Sequence, residues 1–242
     1  MSPSRDNVSL PQDAVGASTL ERMASAPAFN SWMYERISPW IGARVLEVGS
    51  GIGNISQFLA TRELLVLTDT EQFYRDELQR RFGDLPHVEI LELSLPGVPE
   101  QIAQRKFDTI VCLNVLEHID EDEDSLTALR GLLEPGGRLV LLVPALPVIY
   151  GTLDEALGHC RRYTPDLLRS RYATAGLVMR HMEYFNLAGV LGWLVTGRVL
   201  RRKMIPVGPL RLYDRLVPLF RLERFLPLRI GQSLIAIGEA TS

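Results

Sequence analysis

The sequence predicts a doubly wound α/β fold built on a mostly parallel sheet, and three observations predict it. Five short, nearly continuous apolar runs alternate with segments of helical periodicity between residues 44 and 143, as expected for strands buried on both faces. The first run, Arg44-Val-Leu-Glu47-Val48, leads into three glycines at alternate positions, Gly49, Gly51 and Gly53, and then into a helical segment. Glycines there allow positive φ and close approach of backbone to a ligand, at a helix start whose N–H groups are unpaired. The second run, Leu64 to Thr68, ends in Asp69, twenty positions after Gly49. A carboxylate at that spacing, on the tip of the second strand, can accept hydrogen bonds from two ribose hydroxyls.

Taken in order, residues 1 to about 20 read as a loose polar arm, and Thr19 to Ile37 as one or two amphipathic helices broken at Pro27. Strands follow at 44–48, 64–68, 87–93, 107–113 and 138–143, with helices at 54–61, 72–82, 99–104 and 122–133 between them. Pro165 to Ala175 reads as a helix capped by Thr164, and Leu177 to Phe185 as a sixth strand. Gln232 to Glu239 supplies a seventh, leaving about 46 residues between the two that a hairpin does not need. The organisation is therefore an arm with cap helices (1–40), a core (41–185), an inserted segment (186–231) and a last core strand (232–242).

At 242 residues, 46% hydrophobic and 23% charged, the chain can bury one substantial core, and disorder is excluded for its bulk. Cys112 and Cys160 form no C-x-x-C pair, so neither a disulfide framework nor a zinc site is expected. The acidic run Asp120 to Asp124 reads as a solvated helix start without metal-ligand spacing, and no metal is expected. The N-terminus lacks an apolar leader, and no run reaches the roughly 18 residues of a membrane span, so a cytoplasmic protein is expected.

The glycine turn discriminates between ligands. A dinucleotide fingerprint requires G-x-G-x-x-G, whereas this chain has G-x-G-x-G with Asn54 in sixth place, and Glu47 two residues before the first glycine would repel a pyrophosphate. A carboxylate there suits a cation, and S-adenosylmethionine carries an ammonium and a sulfonium. The run Glu47 to Gly53 with Asp69 resembles the first two motifs of class I S-adenosylmethionine-dependent methyltransferases. Asn114-Val-Leu-Glu117-His118-Ile119 resembles the fourth motif and the E-H-I/V of bacterial ubiquinone-type O-methyltransferases, and Pro135-Gly-Gly-Arg-Leu-Val the fifth strand and its turn.

The resemblance implies a Rossmann-like seven-stranded sheet whose last strand is antiparallel, here with a helical insertion between the sixth and seventh strands. It implies a cofactor set of Glu47, Gly49, Ser50, Gly51, Asn54 and Asp69, with Asn114 and Val115 at the methionine end. The acidic adenine contact that the family often places after the third strand is replaced by Leu93-Ser94-Leu95, leaving Ser94 as the candidate. His118 falls beside the acceptor.

The loop after the fifth strand concentrates Tyr150, Asp154, His159, Arg161, Arg162 and Tyr163. So many polar groups in one short loop are costly unless they satisfy one another or bind something. The segment resembles the D-x-x-x-G-H-x-R-R-Y loop of a group of bacterial class I methyltransferases. His159 has the pKa range of a general base, Asp154 can fix its tautomer, and Tyr150 and Arg162 complete the catalytic set. A purely structural Asp154–Arg162 ion pair is compatible with this. Arg161, Tyr163 and Trp193 join His118 as acceptor contacts.

The insertion 186–231 carries nine basic residues against two acidic ones, Asp214 and Glu223, a net charge of +7 in a chain of −3. Basic residues beside apolar helical faces suggest a lid over an amphiphilic acceptor, or a surface resting on anionic lipid. A protein partner or homodimer ranks second, and nucleic acid is not expected because no RNA-binding signature accompanies the charge. The expected activity is O-methylation (EC 2.1.1.-) of a small or lipid-like acceptor. N- or C-methylation, or cofactor binding without turnover, are the alternatives.

Overall fold

The computed structural model describes residues 14–204, 206–226 and 229–241. The first thirteen residues of the expected arm lie outside the described residues. Seven strands form one sheet: β1 (Arg44–Val48), β2 (Leu64–Asp69), β3 (Val88–Glu92), β4 (Phe107–Leu113), β5 (Leu133–Pro144), β6 (Leu177–Phe185) and β7 (Ser233–Ala240), in the order β3-β2-β1-β4-β5-β7-β6. The first five are parallel, and β7 runs antiparallel between β5 and β6. This is the Rossmann-like sheet with an antiparallel last strand.

Alternation along each strand divides the core into two layers. Leu46 and Val48 of β1, Ile110 and Cys112 of β4, and Leu139 and Leu141 of β5 pack on one side. Val45, Val111, Val140 and Leu142 pack on the other. Two helices precede the sheet, α1 (Ala14–Ala24) and α2 (Pro27–Ile37), with the break before Pro27 as read from sequence. Connecting the strands are α3 (Ser56–Leu59), α4 (Gln72–Phe82), α5 (Glu100–Ala103), α6 (Asp122–Gly131), the short α7 (Thr152–Ala156) and α8 (Pro165–Thr174). β5 begins earlier than its apolar run suggests because Leu133 pairs with Phe107 ahead of the Pro135-Gly136-Gly137 turn.

Residues 14–20 are helical rather than part of an arm. Ala17 is buried, and the Leu20 carbonyl accepts a hydrogen bond from Asn54 Nδ2 at 3.1 Å, which fastens α1 across the glycine turn. In α2, the buried Trp32 ring packs on Phe185 of β6 with centroids 4.4 Å apart.

The insertion is helical: α9 (Leu187–Trp193), a π-helical stretch (Leu194–Val199), α10 (Val207–Phe220) and a 3-10 turn (Arg221–Phe225). Both of its acidic residues serve helix starts. Asp214 accepts from the Phe29 amide of α2 at 2.8 Å, and Glu223 from the Asn186 and Leu187 amides at the start of α9 at 2.8 and 2.7 Å. A carboxylate at a helix N-terminus contributes about 0.3–1 kcal/mol. These acids join the insertion to α2 and to the end of β6, while Arg201, Arg202, Lys203, Arg211 and Arg215 remain exposed.

Candidate active site

The carboxyl ends of β1, β2, β4 and β5 open into one cavity of about 850 Å³, also lined by α1, α2 and the insertion. It lies where the strand order reverses between β1 and β4, the expected ligand position of such a sheet. Gly49, Gly51 and Gly53 have φ of +68°, +53° and +80°. A Cβ on Gly49 would lie 2.4 Å from Val115 Cγ2, so the turn tolerates no side chain there.

Glu47, Ser50 and Asp69 line this half of the cavity and are buried. Burial raises the Glu47 carboxyl to about 7, against the lowering effect of a hydrogen bond from Ser56 Oγ. Asp69 accepts from the Gly51 amide at 2.9 Å and the Glu71 amide at 3.1 Å, and burial raises its pKa too. Two such bonds leave acceptor capacity on both of its oxygens. Asn114 lines the cavity in the left-handed region (φ +54°), its amide donating to the Leu142 carbonyl at 2.8 Å. Ser94 and Val115 also line it. Asn54 reaches the cavity wall, but its side-chain amide donates to Leu20.

The opposite half is organised by Asp154, which is fully buried. Its Oδ1 meets His159 Nδ1 at 2.9 Å and Arg162 Nε at 2.7 Å, and its Oδ2 accepts from Trp193 Nε1 at 2.9 Å and the Gly151 amide at 3.0 Å. Burial alone would raise this carboxyl, but the His159 bond, the Arg162 charge and the Trp193 bond outweigh it and hold it below the usual range. His159 lines the cavity with its ring parallel to Trp193 and edge-on to His118. Tyr150 Oη donates to the His159 carbonyl at 2.8 Å and so buttresses the loop. One carboxylate thus contacts both His159 and Arg162.

Three residues expected to touch a ligand face elsewhere. Tyr163 is fully buried beneath the loop, its hydroxyl 3.0 Å from Asp122 Oδ2. Arg161 donates to the Ile119 and Asp120 carbonyls at 2.8 and 3.0 Å, and Arg162, with its side chain fully buried, to the Ala145 carbonyl at 2.7 Å. All three point away because β5 bridges to Tyr163 through Ala145, turning the Arg-Arg-Tyr segment back onto the sheet. Asp122 is likewise buried, ion-paired to Arg161 and Arg171, and is no part of a solvated run. Sequence reasoning also missed the burial of Glu117, which is 1% exposed and whose carboxylate has no hydrogen-bond partner among the described residues. Burial pushes it up to about 7. For Glu47 and Glu117 alike the native state keeps a proton that the unfolded chain releases near 4.5, so their contribution to stability falls as pH rises from 4.5 through 7.

Residues 46–139 match the family model of a methyltransferase domain. The chain is 31% identical over 120 residues to a tRNA U34 carboxymethyltransferase of Pseudoalteromonas atlantica, covering 46% of this chain and 36% of that protein. It is 28% identical over 104 residues to a ubiquinone biosynthesis O-methyltransferase of Paracidovorax citrulli, covering 42% and 43%. The chain thus spans less than half the length of these relatives. Among solved structures, the complex of the Haloferax volcanii Trm112 methyltransferase activator with a methyltransferase is similar at TM-score 0.66 and 14% identity, covering 96% of this chain and all of that one. The fold is the Rossmann-like one of these methyltransferase structures.

Proposed function

We propose that this chain is an S-adenosylmethionine-dependent methyltransferase that O-methylates a small or lipid-like acceptor. The observation that carries this reading is a single cavity with the Glu47, glycine-turn and Asp69 wall at one end and the Asp154-held His159 at the other. The residues present fit the cofactor: Glu47 is a buried carboxylate on the cavity wall suited to a cationic group, and Asp69 retains acceptor capacity for ribose. When bound, the cofactor supplies an electrophilic methyl on a positively charged sulfur. Asn114 and Val115 border the methionine end, and Ser94 the adenine end.

The protein's own contribution is alignment and proton removal. His159 Nδ1 is committed to Asp154, so Nε2 presents its lone pair to the acceptor hydroxyl and takes the proton. Trp193 lies parallel to the imidazole and ties α9 to the same carboxylate. His118 and Trp193 contact the acceptor, while Tyr150 and Arg162 hold the loop.

The cofactor assignment is tested by titrating S-adenosylhomocysteine calorimetrically. Saturable binding is expected, weakened at least about tenfold by Asp69→Ala through loss of the ribose contacts, each worth about 1.5–3 kcal/mol to a charged group. Unchanged affinity in the variant would remove the ribose role. Peripheral membrane contact through 186–231 belongs to the same reading, because Arg201, Arg202 and Lys203 sit near the exposed Val199, Leu200 and Met204. No described helix is long and apolar enough to cross a membrane. Sedimentation with liposomes should rise with anionic lipid and fall with salt, and its absence at low salt leaves the insertion as a lid or a protein contact.

A further inference from the structure

The acceptor end of the cavity holds a feature that methyl transfer through His159 does not use. Glu117 lies in the turn after β4 with its side chain buried, lining the cavity, and neither carboxylate oxygen has a hydrogen-bond partner among the described residues. Buried carboxylates nearly always have hydrogen-bond partners, and this one has none among the described residues while its neighbours are bonded to other groups. Asp154 is balanced by Arg162, and His159 Nδ1 belongs to Asp154. The remaining ring nitrogen, His159 Nε2, lies 4.0 Å from Glu117 Oε1. His118 stands edge-on to His159 with ring centroids 4.9 Å apart. One ligand-capable atom from each of Glu117, His118 and His159 lies within 4.8 Å of the others.

We infer that Glu117, His118 and His159 bind a divalent first-row transition ion at the acceptor end of the cavity. The donor set selects this class: two imidazoles and one carboxylate suit Fe²⁺, Co²⁺ or Zn²⁺, whereas Mg²⁺ and Ca²⁺ favour all-oxygen sites. The surroundings are those of a metal-binding histidine, because Asp154 accepts from Nδ1 and so leaves Nε2 as the donor atom for the ion. Donors about 2.1 Å from an ion stand roughly 3 Å apart, so occupancy draws Glu117 and His159 about 1 Å closer than they are. The ion also places positive charge beside a buried carboxylate that makes no hydrogen bond among the described residues.

The consequence of this site rests on the methyltransferase reading. Three protein ligands leave coordination positions open, and an acceptor hydroxyl bound there loses its proton more readily, the proton passing to water while the O–H bond pair stays on oxygen. With the ion in place His159 is a ligand, and the ion takes over the activation that Nε2 performs without it. This favours acceptors with two adjacent oxygens, such as catechols or hydroxy acids, which can chelate the ion.

The test is a titration of the chelator-stripped full chain with Co²⁺, followed by calorimetry and by visible absorption. One ion per chain is expected, weakened at least about tenfold by Glu117→Gln and by His118→Ala, with Cys160→Ser binding as the parent does. No stoichiometric binding, or binding indifferent to both Glu117→Gln and His118→Ala, overturns the site. Thermal melts establish that each variant folds, and His118→Ala, at an exposed position, carries the test should Glu117→Gln fail to fold. S-adenosylhomocysteine titrated into the metal-free protein separates the two readings: its binding stands or falls independently of cobalt.

Discussion

His159→Ala is expected to lower turnover by roughly 10²-fold or more while leaving S-adenosylhomocysteine affinity nearly unchanged. The separation follows from the cavity's two ends. Glu47, Asp69 and the glycine turn belong to β1 and β2, whereas His159 sits in the loop after α7 and makes its side-chain bond to Asp154. Removing the imidazole deletes the proposed base without touching the Glu47, glycine-turn and Asp69 wall. The effect falls on kcat more than on KM, because the group acts on charge that develops in the transition state. The measurement is steady-state release of S-adenosylhomocysteine across about pH 6–9 with a panel of phenols, hydroxy acids, lipids and amines, alongside calorimetry. Normal turnover across that range would remove His159 from the chemistry. An amine acceptor whose methylation survives the substitution would point to nitrogen transfer, which needs less base assistance.

The fold was legible wherever local pattern decided it. β1 and β4 fall where their apolar runs place them, because a strand buried on both faces writes its length as continuous hydrophobicity, and β6 and α4 fall at their predicted bounds as well. What sequence could not convey was partnership over distance. Asp214 and Glu223 look like stray acids in a basic segment, yet they satisfy amide groups 185 and 37 residues away. The Asp120 to Asp124 run looks uniformly solvated, but Asp122 turns inward to meet Tyr163, Arg161 and Arg171. In the Gly-His-Cys-Arg-Arg-Tyr loop the residue types announced a polar cluster. Which of them face the cavity depends on the bridge between Ala145 and Tyr163, and no spacing encodes that. Glu117 shows the same limit: the Glu117-His118-Ile119 motif does not say that the carboxylate is buried, which follows from the loop that packs over it, its Cys160 amide bonded to the Glu117 carbonyl.

Asp154→Ala is expected to be the most destabilising single change at the site, by about 3–5 kcal/mol, since removing one member of a buried ion pair leaves the other charge uncompensated. Arg162 would keep its bond to the Ala145 carbonyl but lose the carboxylate it pairs with, while its Nη2 has no hydrogen-bond partner among the described residues to begin with. Its guanidinium also lies 4.9 Å from the centre of the Trp193 ring, whose own N–H would lose its acceptor. At about 2–4 °C per kcal/mol for a chain of this size, Tm should fall by roughly 6–20 °C, read by thermal or urea denaturation. The double variant Asp154→Ala/Arg162→Met should recover part of the loss, because an apolar side chain of similar length no longer demands a counterion. Because Trp193 joins α9 to Asp154, the same substitution should open the insertion to proteolysis near 194–203 before the core unfolds. A loss below about 1 kcal/mol, with the insertion still protected, would mean that the four contacts of Asp154 are replaced by water at little cost, and that the loop over the cavity is held by other means.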